Sequence, residues 1–332
     1  MKLAVQGIAC LGSFGPGADA LPEGLTPPLQ ALQAAYEDGR AAKADTSGLK
    51  DIFAARSLRH MDHFTRMALW AAARTLADSG CHMDGSVENG NGRTALVLAT
   101  GYGPAGPTFD FLDSIIAHGD FMASPLAFSH SVHNIPAASI AMLLGLTGPC
   151  ATVCQLDCPV AVAFQLAWSW LMEERVDRVL LGAADEHTSM LAVTGKGIVR
   201  GRRPESGRRA LLPLGEGAAF FCLERYTGQA ARWGSLEILA LGRPPKTRLK
   251  GWNENQVLYS GRVPQGAFFS PRTVFAEKVY GNMPVAQAFD IILALRSQTR
   301  PSVCVNFGEL GTIGAIRVDS AKHKDETDAN FA

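Results

Sequence analysis

The feature that most constrains this sequence is a set of continuous apolar runs separated by segments of helical period. Thr94–Thr100 reads TALVLAT and ends in Gly101-Tyr102-Gly103-Pro104. That is the pattern of a strand buried on both faces that feeds a loop. Arg178–Ala184 (RVLLGAA) and Ala218–Leu223 (AAFFCL) repeat it, and residues 2–10 open the chain the same way. Helices lie between them. Over Asp62–Ser79 the positions Phe64, Met67, Ala68, Ala71, Ala72 and Leu76 keep the helical period, and Gly80 stops it. Segments 107–118, Asn134–Leu144 and Pro159–Glu174 read as further helices, the last with Pro where a missing N–H is harmless. Ala151–Val153 reads as a short strand. Strands alternating with helices as far as Tyr226 predict a layered α/β sheet.

Past Tyr226 the character changes. A strand-like run at 235–241 leads into a polar stretch with Gly, Pro and Arg through Arg272. Then come a helix at 283–296, a strand at Val303–Asn306 and a short run Ile316–Val318. We read 1–225 and 226–320 as two parts of the fold, and the charged residues 321–332 as a disordered tail.

Charge narrows the partners. Lysine plus arginine equals aspartate plus glutamate, 31 each, so no global field draws nucleic acid or an anionic membrane. No window supplies the roughly 18 uninterrupted apolar residues that a membrane span needs. The N-terminal run reads as a strand rather than a signal peptide, and the expected location is the cytoplasm.

Cysteines stand at 10, 81, 150, 154, 158, 222 and 304, an odd number with no framework spacing. Cys150, Cys154 and Cys158 recur every fourth residue, yet no histidine lies among them and Gly148-Pro149 opposes a single helix. They read as small buried thiols, and no metal or other cofactor is expected. His60 and His63, at the start of the first strong helix, read as solvated.

Three segments carry a resemblance. Gly145-Leu-Thr-Gly-Pro149, Thr152-Val153, a turn, an apolar helix and Val176–Asp185 resemble the nucleophile-elbow region of the β-ketoacyl synthases. Pro213-Leu-Gly-Glu-Gly-Ala-Ala219 is similar to their PxxxGEGAG segment. Val305-Asn-Phe-Gly-Glu-Leu-Gly-Thr312 is a weakened form of their glycine-rich C-terminal turn. The resemblance implies a thiolase-like α-β-α-β-α layered fold with a shortened second half, paired with a partner across a strand near the elbow.

Condensation requires a thiolate to carry the acyl chain and two imidazoles, or an imidazole and an asparagine, to stabilise the enolate left by decarboxylation. Counting from either side places the family's nucleophilic cysteine at Asp157, with Cys158 adjacent as its rival or as a buried small side chain. Asn282 stands where the resemblance expects the second histidine, and after His187 the chain holds only His323. The elbow is therefore read as degenerate.

Other residues are assigned by the same resemblance. Phe109, Phe111, Leu112, His130, His133 and Asn134 are candidates to line the acyl tunnel or the subunit interface. Arg200, Arg202, Arg203, Arg208 and Arg209, five arginines within ten residues, are a candidate dock for an acidic acyl carrier protein or simply a solvated loop.

The expected function is a non-condensing, chain-length-factor type of subunit that pairs with an active ketosynthase in polyketide, aryl-polyene or fatty-acid-like elongation. It would not be catalytic alone. Two alternatives stand beside it: residual acyltransferase, thioesterase or β-ketoacyl synthase activity through Cys158, and a carrier-protein scaffold.

Overall fold

A computed structural model of the chain describes residues 2–21, 43–81, 93–191, 214–228, 231–243, 256–261, 273–274, 277–296, 301–308 and 311–321. Strand β1 (Lys2–Gly12) opens the fold and the two-residue β2 (Gly15–Pro16) folds back on it. Next come α1 (Ala55–Leu58), α2 (His63–Asp78), β3 (Thr94–Thr100), α3 (Ala105–His118), α4 (Pro125–Ser131) and α5 (Ile135–Leu143). Then follow β4 (Cys150–Cys154), α6 (Pro159–Met172), β5 (Arg178–Asp185), β6 (Gly217–Arg225) and β7 (Gly234–Gly242). The chain continues through β8 (Gln256–Gly261), β9 (Thr273–Val274), α7 (Glu277–Tyr280), α8 (Ala286–Arg296), β10 (Ser302–Phe307) and β11 (Ile313–Ser320).

All these strands join one mixed sheet in the order β4-β3-β5-β6-β1-β7-β11-β10-β8-β9, with β2 beside β1. Side-chain alternation assigns the two faces of its first part. Val97, Val179 and Phe221 enter one core, whereas their neighbours Leu96, Leu180 and Phe220 enter another with α2 and α5. Helix α6 packs against β3, β5 and β6 on one side and β7 and β11 on the other. Helix α8 likewise touches β1 and β6, and also β8, β10 and β11. The sheet thus folds around α6 and α8, giving helix, sheet, helix and sheet layers. On the outer face of the last layer Val257, Val303, Val305, Ile313 and Ala315 form a small cluster, which among the described residues no helix joins.

Local chemistry explains the boundaries. Asp62 caps α2 by accepting from the Thr65 N–H and hydroxyl, both at 2.8 Å. Helix α4 has no apolar run to announce it. It is fixed by the Ser124 hydroxyl, which accepts from Ala127 N at 3.2 Å, and by Pro125 at its start. The helix expected from 283 begins at Ala286, because Met283 and Val285 are taken up in turn hydrogen bonds. Strand β8 lies inside the stretch read as polar, where parallel pairing with β10 supplies the order that its own sequence does not advertise. The expected tail lies outside the described residues, apart from Ala321.

Candidate functional site

The parallel strands β3, β4 and β5 end on the same side of the sheet, where open α/β sheets present their crevices. Beyond β4 the Gln155 N–H continues the ladder by donating to Thr100 O at 3.0 Å. The Gln155 amide donates to Asp157 O at 2.6 Å, which tightens the turn. Cys158 then takes a left-handed conformation, φ 52° and ψ 42°, immediately before α6. A residue without glycine's freedom held there marks an elbow that the surrounding structure enforces.

The glycine-rich turn closes over this elbow from β10 and β11. The Thr312 hydroxyl donates to Asp157 Oδ2 at 2.9 Å, and Gly308 N donates to Thr312 O at 3.0 Å. A side chain at Gly308 would meet Asp157 Cγ and Thr312 Oγ1 at 2.4 Å, so the approach requires glycine. Gly314 gives the same close contact to α6, since a Cβ there would lie 2.7 Å from Ala161 Cβ and 3.2 Å from Cys158 Cβ. The Cys158 thiol donates to Asn306 O at 3.5 Å and lies 3.8 Å from Thr312 Oγ1. It is only 2% exposed. Burial pushes its pKa up, and the neighbouring Asp157 charge raises it further, against the Thr312 hydrogen bond. The helix N-terminus therefore faces a protonated, enclosed sulfur rather than a free thiolate.

Around the elbow the loop Thr100–Gly103 is held by Asp185 at the end of β5. This buried carboxylate accepts from Thr100 Oγ1 at 2.7 Å, Tyr102 N at 2.9 Å and Gly101 N at 3.0 Å. Burial raises its pKa to about 6 in spite of those donors. Gly101 packs on Pro284, and a Cβ at Gly103 would collide with the His133 ring. Asn282 O accepts from Gly215 N at 3.0 Å, which joins the 280–285 segment to the GEG turn. Asp157, Cys158, Asn282 and His133 thus belong to segments that meet at one end of the sheet. No histidine lies in the elbow, in the described residues of the glycine-rich turn or in the 280–285 segment.

Helices α3 and α4 leave the same end and stay largely uncovered. In α3 only Ala105 and Pro107 are buried. Phe109 and Phe111 are half-buried, and Phe111 stacks obliquely on Phe128 at 5.2 Å. Leu112 is exposed, His130 half-buried, and His133 and Asn134 exposed. Cys150 and Cys154, expected to be buried, are exposed because β4 is the edge of the sheet. Arg200, Arg202, Arg203, Arg208 and Arg209 lie outside the described residues.

One cluster escapes the sequence reading. His63 is not merely solvated: its Nε2 lies 2.9 Å from Glu216 Oε1, a carboxylate that also accepts from Ala44 N and His187 N. Burial works against the Glu216 charge, but His63 and these donors hold its pKa below the usual value. Nearby Glu186 accepts from Gly106 N in the first turn of α3, and burial pushes its pKa to about 7. An acid between two glycines ahead of an apolar strand was the available signal.

A family profile described as the β-ketoacyl synthase N-terminal domain matches residues 21–227. A putative polyketide β-ketoacyl synthase 1 of Streptomyces virginiae is 27% identical over 248 residues, covering 67% of this chain and 58% of that protein. The chain therefore spans less than two thirds of that relative's length. Among solved structures, the ishigamide ketosynthase/chain length factor aligns with TM-score 0.68 and 17% identity, over 96% of this chain and 99% of the other. A type II polyketide acyl-carrier protein in complex with its ketosynthase bound to the hexaketide gives TM-score 0.71 and 14% identity over the same shares. A β-ketoacyl synthase from Burkholderia phymatum gives TM-score 0.65 and 14% identity, again over 96% and 99%. The layers and the elbow define a thiolase-like α/β protein. The chain belongs to the β-ketoacyl synthase family.

Proposed function

We propose that this chain is a non-condensing ketosynthase-like subunit of the chain-length-factor type. In this reading it pairs in the cytoplasm with an active β-ketoacyl-carrier-protein synthase and helps shape the acyl tunnel. The observation that carries the proposal is the uncovered apolar face beside the elbow. Among the described residues β4 pairs only with β3, so its outer backbone edge is open. Around it Leu112, Ile116, Phe121, Met122, Leu126, Phe128, Met142 and Leu156 are exposed. An apolar patch rimming an open strand edge supports the reading of a chain that a partner completes.

The elbow supports the non-condensing half of the reading. The position counted as the family's nucleophile carries Asp157, whose carboxylate is engaged by Thr312. An acyl anhydride there would be hydrolytically labile, and the adjacent thiol is enclosed and raised in pKa. Phe109, Phe111, His130, His133 and Asn134 would then face the shared tunnel or the partner. The arginines at 200–209 would dock the acidic carrier protein.

Co-expression with a cognate β-ketoacyl-carrier-protein synthase tests the proposal. A stable heterodimer that elongates chains, with the partner's cysteine required and Asp157→Ala tolerated, is the expected result. Recovery of only monomer or homodimer beside that partner overturns it.

One observation favours a second reading. The left-handed turn at Cys158 presents a thiol at a helix start, as a nucleophile elbow does. Mass spectrometry after exposure to an acyl thioester or a cerulenin-type electrophile separates the two. A covalent adduct lost in Cys158→Ala promotes an acyltransferase or thioesterase role.

A further inference from the structure

Far from the elbow, two cysteines that the proposed function leaves unused meet on the outer face of the sheet. Cys222 lies within β6, paired with Gly7 of β1 and Leu180 of β5. Because residue 7 has no side chain, the C-terminal turn of α2 presses directly on β1. A Cβ there would lie 2.4 Å from Thr75 O and 2.8 Å from Ser79 Cβ. That close approach puts Cys81, which follows Gly80 and donates its N–H to Leu76 O at 3.1 Å, on the part of the sheet where Cys222 stands opposite Gly7. The two thiols act on each other's ionisation, and Ser79 and Arg178 act on both. Arg178 is itself held by Glu224 at 2.7 Å.

The environments of the two sulfurs differ. Cys81 is half-buried and Cys222 is fully enclosed. The neighbouring Cys222 thiol, then Ser79 and the Arg178 charge, lower the Cys81 pKa against its burial. The neighbouring Cys81, together with burial, drives the Cys222 pKa well up. A stabilised thiolate touching a protonated thiol is the arrangement of an attacking and a resolving cysteine.

We propose that Cys81 and Cys222 form a redox-active dithiol that hydrogen peroxide closes into a disulfide, stapling the end of α2 to β6. The Cys81 thiolate attacks one peroxide oxygen and the O–O bond breaks. The leaving hydroxide takes a proton as water, and Cys81 becomes a sulfenic acid. The Cys222 sulfur then attacks that sulfur. The S–S bond forms, and the departing hydroxide takes the Cys222 proton as a second water. Two electrons pass from the two thiols to the peroxide. The inference is independent of the proposed function, because neither sulfur lies at the elbow or on the uncovered face.

The full-length protein, reduced and then exposed to hydrogen peroxide, is digested without reductant. The expected product joins the Cys81 peptide to the Cys222 peptide with loss of about 2 Da, restored by dithiothreitol. The melting midpoint of the oxidised form should rise by about 4 °C or more, since the staple closes a long loop. In Cys222→Ser the sulfenic acid on Cys81 should persist and react with dimedone; Cys81→Ser should give neither product. Before oxidation, iodoacetamide at neutral pH should label Cys81 about tenfold faster than the exposed Cys150 and Cys154, whose pKa values burial raises. Wild-type protein in which Cys81 proceeds to sulfinic acid without any Cys81–Cys222 peptide overturns the proposal. So does labelling of Cys81 no faster than Cys150 and Cys154. Both readouts use the wild type, so a variant that fails to fold does not decide the matter.

Discussion

Helix α2 and the α3–α4 pair are both rich in apolar residues, yet they end in opposite environments: α2 packs on the sheet, and α3 and α4 pack chiefly on each other. In α2, Phe64, Met67, Ala68, Leu69, Ala71, Ala72 and Leu76 are all buried between β1, β5 and β6. Across α3 and the short turn after it, Ile116 is 82% exposed and Phe121 99%. Hydrophobic content does not separate them; what covers them does. The fold of a single chain finishes the α2 face and leaves the α3–α4 face to something else. Stability should therefore concentrate on one flank and association on the other.

The largest effect should come from the covered flank. Phe64→Ala removes a fully buried ring and should cost about 3–5 kcal/mol of unfolding free energy in urea titration. A loss as small as that of an exposed side chain would break the contrast.

Where the two flanks join, charge replaces packing. Glu186 anchors the first turn of α3, and its folded pKa is raised from 4.5 to about 7 by burial. A carboxyl held neutral in the folded state contributes stability that is fully present below the unfolded pKa. That stability is lost as pH climbs toward the folded one. Asp185, raised from 3.8 to about 6, acts likewise but is spent by pH 6. The decline between pH 6 and 7 should therefore belong to Glu186. Glu186→Gln keeps an acceptor for Gly106 N and cannot ionise, so it should flatten that segment. At pH 8 it should gain up to roughly 3 kcal/mol over wild type, an upper bound from the shift. Glu216, held low by His63 and its other donors, contributes the opposite slope, lost only as pH falls below the usual carboxylate range. An unchanged slope between pH 6 and 7 in Glu186→Gln would remove the assignment.

A smaller effect is expected where α2 meets β1. Gly7→Ala must displace Thr75 O and Ser79, and should cost about 1–3 kcal/mol by overpacking. Gly119→Ala, after α3, has open space around it but a φ of 79°, so only backbone strain of about 1 kcal/mol is expected. Thermal melts of the pair should rank them in that order.

The covered flank was legible in the sequence and the uncovered one was not, for physical reasons. The period of α2 and the runs β3, β5 and β6 follow from local alternation, because strands buried on both faces must be apolar throughout. Phe109, Phe111 and Leu112 show the same periodicity, and nothing local tells whether a partner element will cover them. At the site, counting placed Asp157 and Cys158 on the elbow, and the structure brings the glycine-rich turn onto them. The Thr312 hydroxyl that engages Asp157 is 155 residues distant in sequence, beyond any local pattern. The His63–Glu216 pair was missed for the same reason, since 153 residues separate its members. Cys150 and Cys154 were read as buried because their runs are apolar, and only the sheet order reveals an edge.

The smallest effect on stability bears hardest on the comparison. Phe121 makes almost no contact in the isolated chain, being 99% exposed, so Phe121→Ser should change unfolding free energy by about 0.5 kcal/mol or less. If the α3–α4 face is an interface, the same substitution should sharply reduce co-purification with the partner ketosynthase. Large aromatic anchors carry a disproportionate share of binding energy when a partner buries them. A distant exposed change such as Lys50→Ser should leave both measurements alone. Loss of stability with association intact would mean that the uncovered flank is only loosely folded core. Unchanged stability with lost association would mean that the fold is complete and the subunit is not.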